Sequence, residues 1–175
     1  MPPVPEQDIY IAIGSNVEPL RHIPAALAAL DAVCGPLVCS PAYRSHPVGF
    51  EGPDFVNCVV RGRASQSPEE LTARFKALEQ LAGRRRRPPN SSRELDLDLA
   101  LYGDAVIRRE GITIPRPDVL GYAFVLRPLA ELAPQARHPE TGRSFAWHWE
   151  HFRGERIALE RVALPDPPRV SSPAR

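Results

Sequence analysis

The chain reads as one compact domain built from both strands and helices, and three observations carry that expectation. Its 175 residues suit a single domain large enough for a real core. Residues 93–103, RELDLDLALYG, alternate apolar and polar side chains without a break, which is the period of a half-buried β-strand. Ser67-Pro68-Glu69-Glu70 opens a helix with a capping box and proline at its first position.

The alternating strand organises the rest. Leu95, Leu97, Leu99 and Leu101 fall on one side and can bury; Asp96, Asp98, Ala100 and Tyr102 fall on the other. Neighbouring same-side positions put the two carboxylates about 7 Å apart at Cα. Carboxylates that close repel each other, and a divalent cation or a pair of them is the usual reason to tolerate the arrangement. A merely solvated face is the bland alternative. It weighs less, because Asp is a poor strand former and occurs here twice inside an otherwise ideal strand.

Composition sets the bounds. Twenty-two Lys and Arg against 21 Asp and Glu leave a net charge of +1, so no bulk pull toward nucleic acid or membrane is expected. Cys34, Cys39 and Cys58 lack metal-type spacing. Their odd number, with no signal sequence in MPPVPEQ, points to buried small hydrophobes in a reducing, cytoplasmic setting. No apolar run approaches a membrane span.

Taken in order, residues 1–7 are expected as a flexible arm and 8–13 as a central strand. Gly14-Ser15-Asn16 breaks that strand; Gly14 lets backbone approach a ligand, although an ordinary turn is the favoured reading of the tripeptide alone. A helix over 20–33 carries Leu20, Ile23, Leu27 and Leu30 on one face. Pro24 requires either a start near Ile23 or a kink, and Gly35-Pro36 ends the helix. A second strand is predicted over 37–44, a Pro- and Gly-rich loop over 45–54 and a third strand over 55–61. The last puts Phe55, Asn57 and Val59 on one face and Val56, Cys58 and Val60 on the other. A buried Asn57 either ties down the preceding loop or reads the edge of a flat heterocycle stacked on its aromatic neighbour; the two weigh equally.

The second helix presents Leu71, Phe75, Leu78 and Leu81, and Gly83 ends it. Arg84, Arg85, Arg86 and Arg87 follow. A helix end favours cations, but four exceed what a cap needs. Because this run leads directly into the acidic strand, a polyphosphate clamp outweighs a solvated basic patch. Short strands are expected at 105–107 and 112–114, a loop at 115–118, and a strand-to-helix passage over 122–132 with Pro128 starting the helix. Residues 134–143 read as a loop. Phe145-Ala146-Trp147-His148-Trp149 packs the C-terminal part, with His148 structural. The folded domain is expected over 8–160, with a Pro-rich disordered tail over 161–175.

IAIGSN, PDFVN, GRRRR before R-x-L-D-L-D-L ending in Tyr-Gly, and IPRPD…FVLRPLAELAP occur in one order and at one spacing. The set resembles the 6-hydroxymethyl-7,8-dihydropterin pyrophosphokinase family over roughly residues 8–150. The resemblance implies an α+β, ferredoxin-like fold with a mostly antiparallel sheet and packed helices. It implies transfer of the terminal diphosphate of ATP to the hydroxymethyl group of the reduced pterin, with release of AMP, in folate biosynthesis. Carried over by position, Asp96 and Asp98 hold two magnesium ions, and Arg84, Arg86 and Arg93 grip phosphate. Glu79, Leu99 and Thr113 lie on the nucleotide side. Phe55 and Phe124 sandwich the pterin, Asn57 reads its edge, and Gly14, Ser45, Pro47 and Val48 complete that pocket. The resemblance also implies a monomer.

The chain departs from the family pattern in four places. Residues 88–92 lack the usual Arg-Trp pair, Arg116 stands where a His is usual, Tyr122 where an Arg is usual, and Lys76 where a helix Gln is usual. Arg116, itself a phosphate ligand, is expected to replace lost phosphate contacts. A non-catalytic pterin- or nucleotide-binding relative is the second reading. A nucleic-acid-binding module using the arginine run is a third, opposed by the near-neutral charge and the lack of interleaved aromatics.

Overall fold

The computed structural model describes residues 4–83, 88 and 91–166. Its principal sheet is antiparallel throughout, formed by β1 (Gln7–Ser15), β2 (Val38–Cys39), β3 (Ala42–Ser45), β4 (Phe55–Ala64), β5 (Asp96–Tyr102) and β8 (Glu160–Val162). The order is β5-β1-β4-β3-β8, with β2 also pairing β4. Helices α1 (Pro19–Cys34) and α2 (Pro68–Leu81) cover one face; α3 (Asp118–Gly121), α4 (Ala123–Leu132) and α5 (Phe145–Glu150) cover the other. A separate hairpin joins β6 (Ile107–Arg109) to β7 (Ile112–Ile114). The β1-α1-β3-β4-α2-β5 succession, with β1 between β4 and β5, is the expected ferredoxin-like α+β arrangement.

Alternation along the strands feeds two cores. Ile9, Ile11 and Ile13 of β1, Val56, Cys58 and Val60 of β4, and Leu95, Leu97 and Leu99 pack under α1 and α2 against Ile23, Leu30, Leu71 and Phe75. Tyr10, Val59 and Leu101 pack on the other side against Val119, Leu126, Leu129 and Phe145. The capping box at Ser67 forms in full: its hydroxyl accepts from the Glu70 N–H while the Glu70 carboxylate accepts from the Ser67 N–H.

Several expectations are corrected. The acidic strand does not alternate to its end. Tyr10 pairs with Leu101 but Ile11 with Leu99, so Ala100 is an extra residue, a β-bulge. Leu101 therefore joins the second core instead of following Leu99, and Tyr102 crosses to the first, where its hydroxyl donates to the Gln66 carbonyl. The strand expected over 37–44 splits at Pro41, which has no N–H for a ladder. Ser40 bridges the gap: its N–H donates to the Val59 carbonyl and its Oγ accepts from the Val59 N–H, both at 2.9 Å.

Helix α1 runs through Pro24; the carbonyl this leaves without its usual partner is that of Leu20, in the half-exposed first turn. Pro128 likewise lies inside α4, not at its start. Leu20 and Leu81, the end members of their apolar stripes, are exposed. β8 lies across the expected boundary at residue 160: Glu160, Arg161 and Val162 pair with Arg44, Tyr43 and Ala42, and Leu164 packs against the first core. The tail expected over 161–175 is thus folded in its first residues; residues 167–175, like 1–3 of the arm, lie outside the described residues.

Candidate active site

A cavity of about 260 Å³ opens on the second face of the sheet, at the end where β1, β4 and β5 carry their polar residues. Its floor follows from register. Gly14 of β1 lies between Asn57 of β4 and Asp96 of β5, and Ala12 lies between Val59 and Asp98. The same alternation that buries Leu97 and Leu99 turns both carboxylates to this side. Gly14 is required there by its neighbour: a Cβ would sit 2.6 Å from Asn57 Oδ1. The missing side chain makes room for the amide.

Aromatic rings supply the walls. Phe55 meets Phe50 of the 46–54 loop edge-on, with centroids 6.1 Å apart. Phe124, at the start of α4, stacks with Tyr122 at 5.0 Å and 18°. All four line the cavity, together with Ser45, His46, Pro47 and Val48. The base of the 46–54 loop is closed by His46 Nδ1 and Asp54 Oδ1, 2.6 Å apart.

The floor is electrostatically tense. Burial, reinforced by the neighbouring Asp96 carboxylate, pushes the Asp98 pKa up to about 7 against the pull of Arg116. Arg116 Nη1 lies 3.8 Å from Asp98 Oδ1, and its Nη2 lies 3.3 Å from Asp118 Oδ2. Burial works against the Arg116 charge, but the two carboxylates outweigh it and its pKa moves up. Its buried Nε has no hydrogen-bond partner among the described residues. The arginine is placed by its backbone N–H, which donates to the carbonyl of the bulged Ala100 at 3.1 Å. Among the described residues no group of three or more His, Cys, Asp or Glu could hold a metal alone. Asp96 and Asp98 therefore offer a two-carboxylate set of hard oxygen donors. That set fits Mg²⁺, which keeps several waters and shares the rest of its octahedron with phosphate oxygens.

Eleven of the expected site residues line this one cavity: Gly14, Ser45, Pro47, Val48, Phe55, Asn57, Arg93, Asp96, Asp98, Arg116 and Phe124. Glu79, Leu99 and Thr113 do not. Glu79 is buried on α2 and its Oε1 accepts from the Leu97 N–H at 2.9 Å, on the open edge of β5. The Leu99 side chain is sunk in the first core, which leaves its backbone as the part a ligand can meet. Thr113 sits on β7, in the hairpin that packs beside β5 and is tied to α2 by an Arg109–Glu69 ion pair at 2.6 Å. Arg84 and Arg86 lie outside the described residues. The sequence reading passed over Phe50, Asp118 and Asn16. Asn16 is buried, and its Oδ1 accepts from the Arg93 N–H at 2.7 Å. Its only sequence signal was its place in the Gly-Ser-Asn turn.

With the geometry in hand, likeness to known proteins can be stated. A family model described as 7,8-dihydro-6-hydroxymethylpterin-pyrophosphokinase matches residues 10–134. A 2-amino-4-hydroxy-6-hydroxymethyldihydropteridine pyrophosphokinase of Synechocystis is 41% identical over 137 residues, covering 77% of this chain and 70% of the relative. A protein of the same name from Haemophilus influenzae is 38% identical over 128 residues, covering 71% and 80%. The folic acid synthesis protein fol1 of Pneumocystis carinii is 33% identical over 152 residues, and there the chain spans only 20% of the relative's length. Among solved structures, Plasmodium falciparum HPPK-DHPS superposes with a TM-score of 0.70 over 85% of this chain and 42% of that one. At 11% identity that likeness speaks for the fold alone. The matched stretch contains the whole cavity floor, both aromatic walls and the acidic strand, and on that ground the chain belongs to the 7,8-dihydro-6-hydroxymethylpterin-pyrophosphokinase family.

Proposed function

We infer that this chain is an ATP-dependent pyrophosphokinase that transfers diphosphate from ATP to the hydroxymethyl group of 6-hydroxymethyl-7,8-dihydropterin, releasing AMP, in folate synthesis. The observation that carries the reading is the row Asn57–Gly14–Asp96. It sets a group able to read a heterocycle edge two strands away from a carboxylate pair able to face phosphate, inside one cavity.

In this reading Phe55 and Phe124 hold the pterin between them by stacking. Asn57 pairs with its edge, and Ser45, Pro47 and Val48 close the side. Asp96 and Asp98 hold two magnesium ions, which when bound neutralise charge on the ATP phosphates. Arg93 and Arg116 grip phosphate oxygens, joined by Arg84 and Arg86. The side chain of Arg116 turns from Asp98 and Asp118 toward the triphosphate, which carries more charge. Glu79, the Leu99 backbone and Thr113 border the adenosine along the outer edge of β5. The hydroxymethyl oxygen attacks the β-phosphorus, a new O–P bond forms, and the bond from that phosphorus to the oxygen bridging the α-phosphate breaks. Its electron pair leaves with AMP, and the hydroxyl proton is lost. Positioning and electrostatics do most of such work, and no side chain is assigned as general base.

The test is AMP formation from ATP by the purified chain. AMP should appear only when magnesium and 6-hydroxymethyl-7,8-dihydropterin are both present. A folded protein that yields no AMP at saturating substrates would refute the reading.

A further inference from the structure

Asn16 is buried and stands outside the cavity wall, yet it is hydrogen-bonded to both loops that border it. Its Nδ2 donates to the Pro53 carbonyl at 3.1 Å and to Ser92 Oγ at 3.3 Å. Its Oδ1 accepts from the Arg93 N–H at 2.7 Å, and its own N–H donates to the Arg93 carbonyl at 3.0 Å. Both amide hydrogens are used, on two different segments. Pro53 lies two residues before Phe55 and beside Asp54, which closes the 46–54 loop through His46. Arg93 lies three residues before Asp96, and its guanidinium in turn holds Ser91 Oγ at 2.6 Å and the Ser92 carbonyl at 3.2 Å. The two segments also approach directly: a Cβ on Gly52 would lie 3.7 Å from Ser92 Oγ.

We propose that Asn16 is a positioning residue that couples the pterin-side loop to the phosphate-side segment, so that a ligand ordering one segment orders the other. The proposal rests on the pyrophosphokinase reading. Only a primary amide of this length can do the work, because it accepts from one segment while donating to both. A carboxylate would keep the Arg93 N–H bond and lose both donors. Coupling through shared order is a free energy between two sites and must be reciprocal.

The experiment is calorimetric titration with 6-hydroxymethylpterin, with and without magnesium and α,β-methylene-ATP, and the reverse titration. The analogue replaces the bridging oxygen that must break, so no turnover intrudes. In the wild type each ligand should tighten the other by the same factor, about 5-fold or more by the usual size of such coupling. In Asn16→Asp, checked for a native circular dichroism spectrum, the factor should fall to about 1 while each ligand alone still binds. Ser92→Ala, which removes one arm of the joint, should give an intermediate factor and serves where Asn16→Asp does not fold. An undiminished factor in the folded variants, or no coupling in the wild type, would overturn the assignment of Asn16 alone. A wild-type chain that binds neither ligand would overturn the pyrophosphokinase reading itself.

Discussion

Gly14 shows how much a single missing atom can decide. A methyl group there would meet Asn57 Oδ1 at 2.6 Å, closer than real Cβ contacts come, and would push the amide out of the row it shares with Asp96. Gly14→Ala should therefore raise KM for the pterin about 10-fold or more, the equivalent of losing one buried hydrogen-bonding group, with a smaller change in KM for ATP. Steady-state kinetics with each substrate varied would check this; an unchanged pterin KM would remove Asn57 from the recognition role. Asp98 makes a second prediction at this scale. Its pKa rises from 3.8 to about 7 on folding, so the folded chain holds this proton more tightly than the unfolded one. Stability of the ligand-free protein should therefore fall as pH rises from roughly 4 to 7, and the penalty is fully present above that range. Asp98→Asn should raise the thermal midpoint more at about pH 8 than at about pH 5, while magnesium-dependent AMP formation drops about 10³-fold. Calorimetric melts at the two pH values and an AMP assay measure both; a gain that does not grow with pH would contradict the buried-carboxyl account.

At the scale of elements, the open edge of β5 is the feature that needs managing. The Leu97 N–H points out of the sheet and is met by Glu79 from α2. Glu79→Ala should destabilise the fold by about 1–3 kcal/mol, because a buried donor is left bare, whereas Glu79→Gln keeps an amide oxygen in place and should recover most of it. Urea unfolding would compare them. What the sequence showed and hid at this scale has physical causes. The capping box at Ser67 and the face of β4 carrying Phe55 and Asn57 were readable because each is set by neighbours within a few residues. β8 was not, since Glu-Arg-Val has no period to read and its pairing comes from β3, more than a hundred residues earlier. Asn16 looked like a turn residue because its partners lie 37 and 77 positions away. Glu79 was assigned to the nucleotide side from its resemblance position, and only the folded edge revealed its bond to the strand. The bulge was hidden by the sequence itself, which alternates perfectly through it.

For the molecule as a whole, a sheet buried on both faces leaves its two edges as the places where copies could add. The β5 edge is occupied by Glu79 and by the Arg116 N–H on the Ala100 carbonyl. The β8 edge is three residues long, with Glu160 and Arg161 exposed. Arg161 is also drawn inward to Glu131 at 2.8 Å and to the Tyr43 hydroxyl at 3.2 Å, while Tyr43 donates to Glu131. Short, charged or covered edges oppose strand addition, so sedimentation at micromolar concentration should give a monomer; a dimer would point to a surface other than these edges. No helix of the described residues is long and apolar enough to cross a membrane. The bulge at Ala100 has one further consequence, concerning chain length. Losing one residue from a regular strand turns every later side chain inside out. Here Leu101 and Tyr102 already stand in the shifted phase, so a chain lacking Ala100 would pair without interruption and still send Leu101 to the second core and Tyr102 to the first. Position 100 is a point where the strand can lose a residue without scrambling either core, and the loss would be felt chiefly by Arg116, whose backbone rests on the carbonyl that the extra residue provides.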